Sequence, residues 1–140
     1  MQLELEALNC FETVENQFDL WGITFKNAIA LQPSNPAFIT KPDQVVLMSG
    51  PNSGFVEIHF HHPLRYIEAR IISSQSTILS AFNADNQEIA STQTPPSESR
   101  TVTASVLPPT LLKIQAEDIY KVMFSTFDGQ LIIDHLKLHF

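Results

Sequence analysis

The chain has 140 residues and a mass of 15.7 kDa, room for one domain with one core. It is 44% hydrophobic and 16% charged, too apolar for a disordered chain. Eight Lys and Arg against 15 Asp and Glu leave a net charge of −7, which argues against binding nucleic-acid phosphates or anionic lipid, and the lone Cys10 excludes a disulfide framework or a multi-cysteine zinc site.

The start, Met1 to Leu8, carries Glu4 and Glu6 and no base. No apolar run of the kind found in a secretory leader follows it. No stretch reaches the ~18 apolar residues of a membrane span. The expected compartment is therefore the cytoplasm, or the exterior if a leader has been removed.

Along the chain the apolar residues alternate with period 2 rather than 3.6, so the elements are strands. Leu3, Leu5 and Ala7 face one way, with Glu4 and Glu6 opposite. Trp21–Leu31 is a β-branched and aromatic strand, followed by Val45–Met48. Gly54–Phe60 sets Val56, Ile58 and Phe60 against Glu57, His59 and His61. Leu64–Ile72, Thr77–Asn83, Glu88–Thr92, Thr101–Val106, Leu111–Ala116, Tyr120–Phe127 and Gln130–Phe140 complete the strands. Between them, Asn83-Ala84-Asp85-Asn86 is a hairpin turn, because Asn and Asp tolerate positive φ and bond their own backbone. Asp128-Gly129 is a second hairpin signal. Prolines mark two long loops, Pro33–Ser53 around the short strand and Thr92–Arg100. Helical signal is confined to one turn at Ala116-Glu117-Asp118. Strands of this number and spacing predict a single all-β domain over residues 1–140, with two antiparallel sheets packed as a sandwich or jelly roll.

Three segments carry a family resemblance. They are Trp21–Ala28 extended to Gln32–Phe38, Val56–Leu64 leading to Leu79–Ala90, and Ile119–Ser125 closed by Gly129–Leu136. Together they resemble the galactose-binding-like β-sandwich domains, in particular the version in secreted bacterial proteins with a PEP-CTERM sorting tail. The resemblance spans about Phe11 to Phe140. It implies a jelly roll, carbohydrate or surface-glycan binding, and a structural calcium ion near the chain ends.

Candidate ligands to a metal or sugar follow. Glu57, His59 and His61 lie at i, i+2 and i+4 of one strand and so share a face. A carboxylate and two imidazoles are a zinc-type set, and the bland alternative is a solvated face. His135, Lys137 and His139 share a face of the last strand. If that strand lies beside His59, four imidazoles gather on one surface. Asp134 falls in register with Ile132, Leu136 and Leu138, and a buried carboxylate needs a partner or a cation. The resemblance implies that Asp134 and Glu12 hold calcium; backbone N–H groups of a turn are the alternative partner. For a sugar, Trp21 at a loop edge is the candidate aromatic platform, the alternative being a core or rim tryptophan, with Asn35, Asn52 and Arg100 on the loops as polar contacts. Glu68 alternates with Ile67 and Ala69 like a solvated residue.

No nucleophile elbow, glycine-rich phosphate loop or paired glycosidase carboxylates can be picked out, and Cys10 has no neighbouring base in sequence. The reading is a non-catalytic carbohydrate-binding module whose ligand sits among loops at one end of the sandwich. The competing reading is a homo-oligomerising interaction domain, for which Tyr66–Ile72 matters because Ile71 and Ile72 put apolar groups on both faces.

Overall fold

The computed structural model describes residues 1–32, 44–50, 54–73, 75–94, 109–126 and 131–140. The strands are β1 (Thr13–Val14), β2 (Ile23–Lys26), β3 (Ala28–Leu31), β4 (Val46–Ser49), β5 (Phe55–Ser73), β6 (Thr77–Phe82), β7 (Glu88–Gln93), β8 (Thr110–Thr126) and β9 (Leu131–His139). Every pairing is antiparallel. The Thr101–Val106 strand and the Asp128-Gly129 turn lie outside the described residues.

Two long strands, β5 and β8, organise the fold. They pair along most of their length, with register shifts between His59 and Leu64 and between Leu64 and Tyr66. On the far edge of β5, Glu57–Phe60 pair with β2, whereas Tyr66–Ser73 pair with β9. Beyond β8, Lys121–Thr126 pair with β6, which pairs with β7. The first halves of the ribbon thus build one sheet, ordered β2-β5-β8-β6-β7. The second halves build the other, ordered β1-β3-β4-β9-β5-β8. The chain is an antiparallel β-sandwich whose two sheets share a bent ribbon.

The bend corrects two expectations. The strands expected over Gly54–Phe60 and Leu64–Ile72 merge into β5, of 19 residues, and those expected over Leu111–Ala116 and Tyr120–Phe127 merge into β8, of 17, which ends at Thr126, the last described residue before residue 131. The turn read as helical at Ala116–Asp118 is a strand irregularity, with Asp118 at φ 61°. Extra residues inside paired strands re-aim them at bulges.

The region Trp21–Leu31 is divided rather than continuous. Asp19–Trp21 is a 3-10 turn closed by Gly22 at φ 74°. Asn27, at φ 64°, separates β2 from β3, and the chain crosses there from one sheet to the other. Asn27 donates through Nδ2 to the Phe55 carbonyl at 2.7 Å and accepts the Gly50 N–H at its own carbonyl at 2.9 Å. A Cβ at Gly50 would collide with the Asn27 amide oxygen, so any larger residue there must displace that side chain at the crossing. Leu3–Ala7 is also not a strand. Leu5–Ala7 is a 3-10 turn, with Leu3 and Leu5 buried and Gln2 bridged to Lys137.

Alternation buries one side of each sheet in one continuous core. Ile23, Phe25, Val56, Ile58, Val122 and Phe124 come from the first sheet. Ile67, Ile71, Leu112, Ile133, Leu136 and Leu138 come from the second. A second, small cluster of Val46, Ile72 and Ile132 sits apart from that core, packed with Leu31 and Met48.

Candidate functional site

On the outer face of the first sheet, Thr24, His59, Lys121 and Phe82 form one cross-strand row over β2, β5, β8 and β6. The turn Asn83–Asn86 rises at the end of this row. Thr24, His59, Lys121 and the turn border a cleft of about 460 Å³, also lined by His61 and Tyr120. That size lies in the usual range for small-molecule pockets, about 300–1,000 Å³.

The turn is built by its own side chains. Asn83 Oδ1 accepts the N–H groups of Asp85 and Gln87 at 3.0 and 2.9 Å, and Asn83 Nδ2 donates to Gln87 Oε1. Asn86 takes φ 61°, a conformation Asn tolerates. Its Oδ1 accepts from Lys121 Nζ, whose ammonium also sits 4.4 Å from the centre of the Phe82 ring. The ammonium is therefore held by an amide and a ring face rather than by a carboxylate. Across the row, His59 Nε2 and Glu57 Oε2 are 3.0 Å apart, fixing the imidazole on its strand. The His59 side chain is 44% exposed and the Glu57 side chain 14%. The cleft thus presents an ammonium, imidazoles, amides, a hydroxyl and the Tyr120 ring, a set that donates to and accepts from hydroxyl groups.

The anticipated zinc set is not assembled. Glu57 and His59 satisfy each other, and among the described residues no three His, Cys, Asp or Glu side chains are placed to share an ion. His59 and His61 line the cleft instead. The four imidazoles are also not brought together. β9 does lie beside β5, but at Tyr66–Ser73, beyond the bend from His59.

Asp134 has a partner, and it is Arg70. Nε and Nη2 of Arg70 donate to Oδ1 and Oδ2 at 2.7 and 2.8 Å, with the Asp134 side chain fully buried and Arg70 44% exposed. Sequence alternation assigns Asp134 to the core side. A register shift opposite Arg70 and Ile71 turns it to the outer face. Glu12 lies three strands away, since its carbonyl accepts from Ala30, Ala30 pairs with Leu47, and Leu47 pairs with Ile133. At about 4.8 Å per strand that is roughly 14 Å of sheet. The Glu12 carboxylate accepts the Asn9 N–H and is held below the ordinary range, first by Gln17 and then by that bond. The structure does not bring Glu12 and Asp134 to one ion.

Trp21 is 61% exposed and borders a small apolar cleft of about 280 Å³ with Phe18 and the first four residues. Asn35, Asn52 and Arg100 lie outside the described residues. Sequence reading missed Lys121, Tyr120, Asn83 and Asn86 as a group. The turn signal at Asn83–Asn86 was visible; its position over Lys121 depends on pairing between β6 and β8.

Glu68 is not a free surface residue. It accepts from the Tyr66 hydroxyl at 2.9 Å and pairs with His135 Nε2 at 3.0 Å. Its carboxyl is held below the usual range, mainly by the Tyr66 hydroxyl and then by His135. Desolvation first, and Glu68 second, push the Tyr66 phenol up.

No family model matches the sequence, and no curated protein matches it. Solved structures do resemble the fold. A variant of a family 29 carbohydrate-binding module superposes with a TM-score of 0.50 at 8% identity, over 85% of this chain and 81% of that one. The lectin-binding domain of lectinolysin, solved with Lewis b, gives 0.50 at 10% identity, over 90% and 97%. These similarities establish the β-sandwich, and they do not extend to the PEP-CTERM-associated version of it.

Proposed function

We propose that this chain is a non-catalytic glycan-binding module that holds a sugar in the cleft over β2, β5, β8 and the β6–β7 turn. The observation that carries this reading is a strand-mounted ammonium, Lys121, aimed with Asn86 and His59 into a 460 Å³ cleft beside Tyr120. Sugars offer many hydroxyls in fixed directions. A cationic donor, amides that donate and accept, and a ring for the C–H face answer that pattern. Similarity to carbohydrate-binding sandwiches supports the reading at the level of architecture.

The test is a glycan-array screen followed by calorimetric titration of the best neutral oligosaccharide. Lys121→Gln and Asn86→Ala should each weaken binding by about tenfold or more, the loss expected for a hydrogen bond to a charged group. Absence of any neutral glycan above background, or binding indifferent to both substitutions, refutes the site. A second place for the ligand is the loop end marked by Trp21, favoured by that ring's exposure. Trp21→Ala in the same titration separates the two locations.

Self-association through Tyr66–Ile72 loses the feature that recommended it. Ile71 and Ile72 are both buried within the single chain.

A further inference from the structure

Three adjacent rows on the outer face of the second sheet carry a charge pattern opposite to that of the molecule. Register places Lys113, Glu68 and Lys137 in one row across β8, β5 and β9. The row on one side holds Tyr66 and His139, whose rings meet edge to face at 5.4 Å. The row on the other side holds Arg70 and His135. Within these three rows, Lys113, Lys137 and Arg70 against the carboxylates of Glu68 and Asp134 sum to a formal +1, on a chain of −7.

The charges differ in availability. Asp134 is buried and spent on Arg70, and Glu68 is engaged by Tyr66 and His135. Lys113 lies near enough to Glu68 to help hold its carboxyl low, yet among the described residues no carboxylate lies within ion-pair distance of Lys113 or Lys137. The Cα positions of Lys113 and Lys137 stand two strand spacings apart, about 10 Å. Arg70 keeps N–H groups beyond the two that Asp134 uses, and its side chain is 44% exposed.

From this placement we infer a second ligand surface, separate from the sugar cleft, that takes an acidic polysaccharide across Lys113, Glu68 and Lys137. Its anionic groups, carboxylate or sulfate, meet Lys113 and Lys137, with Arg70 beside them. Its hydroxyls donate to the free lone pairs of Glu68. A nucleic-acid strand fits less well. Its phosphates would face Glu68 with no hydroxyl-rich chain to offer, and Tyr66 is turned edge-on to His139 rather than laid flat for a base to stack on. The remainder of the surface, being acidic, repels a polyanion and confines it to this face.

The experiment titrates the full chain with an oligogalacturonate, a sulfated glycosaminoglycan tetrasaccharide and a single-stranded oligonucleotide, at low and near-physiological salt. Wild type should bind the oligogalacturonate, the sulfated tetrasaccharide or both, more weakly as salt rises through about 0.1 M, where the Debye length is ~10 Å. The Lys113→Gln/Lys137→Gln double variant should lose about tenfold or more of that affinity. Lys113 is exposed and Lys137 half-buried on the sheet's outer face, so the double variant should keep the wild-type melting temperature, which is checked first. Lys121→Gln should leave acidic-glycan binding intact, which separates failure of the cleft from failure of this surface. The inference is overturned if neither acidic glycan binds, if the double variant binds as wild type does, or if the oligonucleotide binds as tightly as the glycans.

Discussion

Replacing Arg70 with Met tests whether Asp134 is held by a cation of the protein rather than by a metal. Asp134 is a fully buried carboxylate receiving two charge-assisted bonds, at 2.7 and 2.8 Å, both from Arg70. Removing one member of a buried pair costs about 3–5 kcal/mol, because the other charge is left desolvated. Arg70 is 44% exposed, so water can enter where its guanidinium stood. That discounts the loss to about 2–3 kcal/mol. In a chain of this size each kcal/mol moves the melting temperature by about 3–4 °C, giving a fall of roughly 6–12 °C. Urea unfolding followed by circular dichroism measures it. The double variant Arg70→Met/Asp134→Leu should recover to within about 1 kcal/mol of wild type, because no charge is then left buried. A single-variant loss under about 0.5 kcal/mol, or a double variant no better than the single, refutes the reasoning. Calcium added to EDTA-treated wild type should leave the midpoint unmoved. A calcium stabilisation abolished by Asp134→Ala would instead return the ion to this site.

Two neighbouring threonines should respond with opposite signs. Thr77 Oγ1 is buried with no hydrogen-bond partner among the described residues, so Thr77→Val should be neutral or stabilising by about 1 kcal/mol. Thr94 Oγ1 accepts the buried Thr77 N–H at 2.9 Å, so Thr94→Val should cost about 1–3 kcal/mol in the same urea experiment. Gly50→Ala drives a methyl into the Asn27 amide at the sheet crossing and should cost about 1–3 kcal/mol; a neutral effect would show that the crossing relaxes freely. Because the Glu68 carboxyl is depressed in the folded state, its contribution is present above the unfolded carboxylate value near 4.3 and is lost as pH falls through the folded value. The stability gap between wild type and Tyr66→Phe should therefore shrink as pH falls below about 4.3; a gap that stays constant there would remove Glu68 as the cause.

The two-residue alternation of Val56-Ile58-Phe60 or Leu136-Leu138 was enough to determine an all-β chain with one buried face per strand, because that period is a property of the extended backbone alone. The turn at Asn83–Asn86 was legible for the same local reason, since Asn supplies both the positive φ and the internal acceptor. Where one strand ends was not. His61-His62-Pro63 reads as a break, yet β5 runs through it, because pairing with β8 on both sides of the bend holds the backbone extended. The partner of Asp134 was equally hidden. Arg70 is 64 residues away, and the side each of the two faces depends on a bulge that alternation cannot register. Lys121 reached Asn86, and Glu68 reached His135, only when particular strands became neighbours. Residue type and period are carried by each short segment, whereas a site on a sheet is a relation between segments, and only the tertiary pairing assigns it.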